Sequence, residues 1–172
     1  MRSLLRALSS ACEKDTLELA ARLGGCLRGG DVVALSGVLG SGKTTFTRGL
    51  AAGLGLAESR LVSSPTYVLE QVYPARVPLH HYDTYRLRAP EEFLALGFEE
   101  RIKEGAVLVI EWAEKVAPLL PEETLGVEII VPPVDRLAER LESGPGTCRE
   151  IRVCGSPRTW EFRLAAPFPE SK

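Results

Sequence analysis

Eight consecutive residues, Gly37-Val38-Leu39-Gly40-Ser41-Gly42-Lys43-Thr44, match the pattern G-x-x-x-x-G-K-[ST] without a mismatch. The chemistry this implies is the holding of a nucleoside triphosphate, ATP, and of its product ADP. Glycine is needed because backbone N–H groups must approach phosphate oxygens closely and because such a turn visits positive φ. Lys43 supplies a point charge for the β and γ phosphates, and the N-terminus of a following helix adds partial positive charge. The Thr44 hydroxyl is suited to Mg²⁺, an ion that takes oxygen ligands, keeps waters and leans on the phosphates.

Such a loop needs an acid at the end of a neighbouring strand, to complete the metal shell or to orient the attacking water. Glu111, directly after the apolar run Ala106-Val107-Leu108-Val109-Ile110, is the best-placed carboxylate. A second concentration of chemistry is His80-His81-Tyr82-Asp83-Thr84-Tyr85-Arg86, which holds both histidines of the chain. Asp83 is suited to act as a second carboxylate near the metal or to position water, because phosphoryl transfer is mostly positioning and charge stabilisation. A turn residue, or an ion pair with Arg86, is the plainer reading of Asp83, and packing between tyrosines is the plainer reading of His81. Ser63-Ser64-Pro65-Thr66 could sense a γ phosphate through the Ser64 and Thr66 hydroxyls, as switch loops do. A polar turn explains that stretch nearly as well.

The elements that must position these groups follow from periodicity. Leu17, Ala20, Ala21, Leu23 and Leu27 are spaced as one face of a helix closed by Gly29-Gly30. Residues 31–36 form a short apolar run ending in glycine, as in a buried parallel strand, and the phosphate loop follows directly. Residues 43–52 read as a helix with Phe46 and Leu50 on one side. Two β-rich runs, 66–73 and 77–82, flank Pro74-Ala75-Arg76 and predict a hairpin. Pro90 opens a helix that runs to Leu96 and ends at Gly97, and residues 106–110 form a second buried strand. Residues 127–131, 151–154 and 160–164 read as further strands, with a Gly/Pro turn over 143–146. Strand, crossover helix and strand in this order predict an α/β fold of the P-loop kind, a mainly parallel sheet with a β-hairpin extension and flanking helices. Its ligands belong at the C-terminal ends of the strands.

At 172 residues the chain is expected to form one domain, with disorder confined to its ends. The net charge of −2 supplies no bulk basic field, so composition neither supports nor excludes contact with tRNA. Cys12, Cys26, Cys148 and Cys154 form no CxxC and lie beside no histidine cluster, which predicts four buried, reduced thiols. Arg2 and Arg6 among apolar residues imitate the start of a secretion signal, but Glu13, Lys14 and Asp15 interrupt it. The apolar runs are too short to span a bilayer, so no membrane partner and a cytoplasmic location are expected.

Taken together the motifs resemble the bacterial TsaE (formerly YjeE) family, the ATPase component of the system that makes threonylcarbamoyladenosine in tRNA. The matching pieces are the loop from Gly37 through Thr44 with Thr45, then Ser64-Pro65-Thr66-Tyr67, His81-Tyr82-Asp83-Thr84-Tyr85-Arg86-Leu87 and Glu111-Trp112. The resemblance implies that Thr44 and Glu111 ligate Mg²⁺, that Lys43 binds phosphate and that Asp83 is needed for hydrolysis. It also implies nucleotide contacts from Gly37, Gly40, Ser41, Gly42 and Thr45, from the segment containing Glu13 and Thr16, and from Arg149. Family members act with a TsaB and TsaD pair, in which TsaD carries the transfer to adenosine 37 of tRNA. Two positions depart from the family: Val38 stands where Asp is usual and Ser41 where Ala is usual. The tail over 132–146 departs most.

Other functions compete with this one. A GTPase would need an N-K-x-D element to read guanine, and the chain contains no asparagine. A small-molecule kinase could use Asp83 as base and Arg86 as phosphate clamp. A nucleotide-gated binding module would let a partner read the ATP state with turnover incidental.

Overall fold

The computed structural model describes residues 3–133 and 148–168. Seven strands among them form one sheet: β1 (Ser3–Ser10), β2 (Val32–Ser36), β3 (Glu70–Tyr73), β4 (Leu79–Asp83), β5 (Val107–Glu111), β6 (Leu125–Ile130) and β7 (Arg149–Gly155). Their spatial order is β1-β7-β6-β2-β5-β4-β3. The central pairs β6/β2, β2/β5 and β5/β4 are parallel, while β3/β4, β6/β7 and β1/β7 are antiparallel. Strands β1, β6, β2, β5 and β4 therefore point one way, and β7 and β3 the other. The β3/β4 pair is the expected hairpin.

The helices are α1 (Glu13–Gly24), α2 (Lys43–Gly53), α3 (Glu91–Leu94), α4 (Phe98–Lys103) and α5 (Pro157–Ala165). Two apolar clusters separate them onto the two faces. One face of the sheet, through Val33, Leu35, Val109 and Val127, packs on Ala20 and Leu23 of α1, Phe46 and Leu50 of α2, and Trp160 and Leu164 of α5. The opposite face, through Ala34, Tyr82, Leu108 and Ile110, packs on Phe93 of α3 and Phe98 of α4. Strand β5 is buried along its whole length, as a run of five apolar residues with no polar alternation requires. Each buried Leu, Val or Phe contributes about 1.5–3 kcal/mol relative to exposure, so the two faces together anchor every element around the phosphate loop.

Several expectations are corrected. Helix α1 stops at Gly24 rather than at Gly29-Gly30, and Leu27 is buried just outside it. A Cβ on Gly24 would stand 2.3 Å from the Leu50 carbonyl oxygen, so the last residue of the helix lies hard against α2. Residues 160–164 are helical, not a strand: Ser156 is extended, Pro157 starts the helix, and Trp160 and Leu164 are one turn apart on its buried side. Strand β1 was hidden in the stretch that imitates a secretion signal; it is antiparallel to β7 with a bulge between Leu4 and Arg6. The run over 66–73 is strand only from Glu70, because Leu69 takes φ 66° and breaks the extended chain. The helix after Pro90 ends at Leu94, and Gly97 with φ 71° opens a second, α4. All four cysteines are free, but only Cys148 is buried.

The turn expected at 143–146 lies outside the described residues, as do the chain ends and most of the 132–146 tail. Among the described residues no helix is long and apolar enough to cross a membrane.

Candidate functional site

The phosphate loop joins the C-terminal end of β2 to the first turn of α2, as the motif requires. Gly37, Gly40 and Gly42 take φ of 141°, 76° and 108°. At Gly37 space adds to conformation, since a Cβ there would meet the Ile129 carbonyl oxygen at 2.4 Å. Gly42 sits just before α2, so the loop delivers Lys43 and Thr44 at the positive end of the helix. The departures from the family are local. Val38 is 62% exposed, so its side chain adds nothing to the loop interior. The Ser41 hydroxyl is buried without a hydrogen-bond partner, an orphan that the usual Ala would not create.

Lys43 is buried, and its ammonium donates to the carbonyl oxygens of Gly37 and Val38 at 2.7 and 3.0 Å. It also lies 3.6 Å above the centre of the Trp112 ring. Burial pushes the Lys43 amine below its ordinary range, and the carboxylates of Glu111, Glu114 and Asp83 partly restore it.

Adjacent parallel strands deliver the two acids. Asp83 ends β4 opposite Glu111, which ends β5, and both are buried. Residues two apart on a strand share a face, so His81, Asp83, Val109 and Glu111 all point toward α2. Glu111 Oε2 accepts from the Thr44 hydroxyl at 3.2 Å, and His81 Nε2 lies 2.9 Å from Glu111 Oε1. Asp83 Oδ2 accepts from the Thr66 hydroxyl at 2.7 Å and from the Ser64 hydroxyl, and Asp83 Oδ1 accepts from the Tyr85 N–H at 2.9 Å. The serine-threonine loop is thereby tied to the carboxylate at the end of β4. Arg86 does not pair with Asp83; its guanidinium lies 5.0 Å from the centre of the Tyr67 ring.

Trp112 holds φ 58°, and the backbone carbonyls of Glu111 and Trp112 lie 3.0 and 2.7 Å from the Thr84 hydroxyl. The ring is thus turned onto Lys43 and rests 5.0 Å from the Tyr85 ring. Spacing gave no signal for this contact or for the His81–Glu111 bond, because both depend on which strands lie side by side.

Lys43, Thr44, Thr45, Ser64, Thr66, Asp83 and Glu111, with Trp112, line one cavity of ≈ 410 Å³. A second, of ≈ 220 Å³, opens on the other side of Gly40, Gly42 and Thr45 between Ser41, Glu13, Thr16 and Arg149. Arg149 begins antiparallel β7 and so stands at the edge where β2, β4 and β5 end. Its Nε donates to the Ser41 carbonyl oxygen at 2.7 Å. The Thr16 and Ser10 hydroxyls lie 2.6 Å apart, fixing the start of α1 to the end of β1. The residues expected at the site thus line two adjoining cavities at one edge of the sheet, except Gly37, which lines neither and stands behind the loop against Ile129 and Ser41. Thr44 and Glu111 offer the oxygen donors that a hard divalent cation takes. Among the described residues no group of three or more His, Cys, Asp or Glu could by itself hold a metal.

A parallel-centred sheet with a glycine loop between its central strand and the next helix defines an α/β protein of the P-loop type. The family model for "Threonylcarbamoyl adenosine biosynthesis protein TsaE" matches residues 10–137, and the chain belongs to the TsaE family. It is 42% identical over 127 residues to the tRNA threonylcarbamoyladenosine biosynthesis protein TsaE of Treponema pallidum, covering 74% of this chain and 92% of the relative. The protein of the same name from Rickettsia felis is 39% identical over 161 residues, 93% of this chain and 88% of the relative. The crystal structure of YdiB from Bacillus subtilis superposes with a TM-score of 0.73 at 27% identity, covering 97% of this chain and 95% of that one.

Proposed function

We propose that this chain is a cytoplasmic, magnesium-dependent ATPase that hydrolyses ATP to ADP and phosphate. Its turnover supports a TsaB–TsaD pair in the N6-threonylcarbamoyladenosine modification of tRNA. One observation carries the hydrolytic reading: Lys43, Thr44, Asp83 and Glu111 converge on a single cavity beside the phosphate loop. The family and the names of its relatives support the place in tRNA modification.

The donor set fits Mg²⁺. The Thr44 hydroxyl and Glu111 carboxylate, 3.2 Å apart, are two hard oxygen ligands, and phosphates and water would supply the rest. When bound there, the ion neutralises charge on the phosphate oxygens. The residues of this chain do the remaining work by position. The loop N–H groups and Lys43 hold the β and γ phosphates. Asp83, fixed by Ser64, Thr66 and the Tyr85 N–H, orients the attacking water and couples the Ser64–Thr66 loop to the γ phosphate. The water oxygen bonds to the γ phosphorus as the bond to the β-bridging oxygen breaks, leaving ADP, inorganic phosphate and a proton. Glu13, Thr16 and Arg149 border the nucleoside side of the loop.

The deciding measurement is steady-state ATP hydrolysis by the purified chain at fixed magnesium, alone and with a cognate TsaB–TsaD pair. The expected result is stimulation by the pair, lost in Glu111→Ala while most ATP binding is kept. A rate indifferent to the pair would overturn the coupling, and ATP consumption that phosphorylates an added acceptor would overturn the hydrolase reading.

A further inference from the structure

We infer that His81 is a positioning residue that sets the orientation of the Glu111 carboxylate; this rests on the reading of Glu111 as a metal-site residue. The side chain of His81 is fully buried in the middle of β4, between β5 and the edge strand β3. Its Nε2 lies 2.9 Å from Glu111 Oε1, and its Nδ1 is buried without a partner. A carboxylate can only accept, so Nε2 is the donor in this bond. The outermost torsion of glutamate is broad and nearly two-fold, so burial alone does not fix the plane of its carboxylate. Here both oxygens are held, Oε1 by the imidazole and Oε2 by the Thr44 hydroxyl. The imidazole thereby leaves Oε2 facing the first turn of α2. A histidine that only filled space would need no donor at this end, and its nearest ring neighbour, Tyr73, stands 6.5 Å away between centres.

The test compares His81→Leu, which fills the space without a donor, with His81→Gln, whose amide N–H reaches the Nε2 position. Affinity for a fluorescent ATP analogue is measured in EDTA and again at saturating Mg²⁺, with turnover recorded alongside. In EDTA all three proteins bind alike. The gain in affinity on adding Mg²⁺ falls roughly tenfold in His81→Leu, the size of one hydrogen bond to a charged group, and His81→Gln recovers most of it. An equal gain in all three proteins, or Leu and Gln impaired alike, overturns the inference. If His81→Leu does not fold, His81→Asn replaces it, being as polar as Gln but too short to reach Glu111. Absence of hydrolysis by the unaltered chain, with these affinities intact, would sink the ATPase reading and leave the positioning role standing.

Discussion

At the scale of single residues, the buried ammonium of Lys43 carries a cost in stability. Desolvation is the largest influence on its amine and lowers its pKa below the unfolded value. At alkaline pH the folded chain therefore binds fewer protons than the unfolded one, so this group's penalty is complete at neutral pH. It fades as pH rises through the folded pKa toward about 10.4. Replacing Lys43 by Met keeps the stem over the Trp112 ring and removes the charge. Thermal unfolding without nucleotide is expected to move to a higher midpoint, while ATP affinity is lost. A lower midpoint would mean that the bonds to the Gly37 and Val38 carbonyls outweigh desolvation. Lys43 and Thr44 were legible in the sequence because the loop is a local pattern, read without knowing the fold. Asp83 and Glu111 were legible because each ends a β-rich run. His81 was not, since its bond to Glu111 exists only because β4 and β5 are neighbours, and no spacing of 30 residues announces that.

At the scale of elements, helices α1 and α2 touch through glycine. A Cβ on Gly53 would lie 2.0 Å from the Ala21 carbonyl oxygen, and one on Gly49 would lie 2.6 Å from that of Leu17. These contacts are to backbone, so no rotamer change relieves them. Gly53→Ala is expected to cost at least about 1–3 kcal/mol and to shift the start of α1, which carries Glu13 and Thr16, away from the loop. A lower denaturation midpoint together with weaker ADP binding would bear this out; unchanged ADP affinity would show that the two cavities are uncoupled. Both helices were visible from their apolar faces. In α5, Trp160, Phe162 and Leu164 alternate as strand residues do, yet Phe162 is 88% exposed while Trp160 and Leu164 are buried, as only a helix allows. Ser156-Pro157 in front of them carries the start signal of a helix.

At the scale of the whole molecule, β1 closes the sheet against β7 and was invisible because an edge strand needs little apolar alternation. Deleting residues 1–10 would expose the backbone edge of β7 and release the Ser10 hydroxyl from Thr16. Light scattering should then show self-association that grows with concentration, as unpaired edges promote, and nucleotide affinity should fall although the phosphate loop is intact. A monomer with full affinity would mean that β1 serves only as cover. The pairing of Ser10 with Arg149 also has a consequence in time. Ribosomes emit about 5–20 residues per second, so Arg149 follows Thr44 by roughly 5–20 s. For that interval the newborn chain carries a phosphate loop without the arginine that grips its carbonyls, and its first strand waits unpaired for a partner still being made.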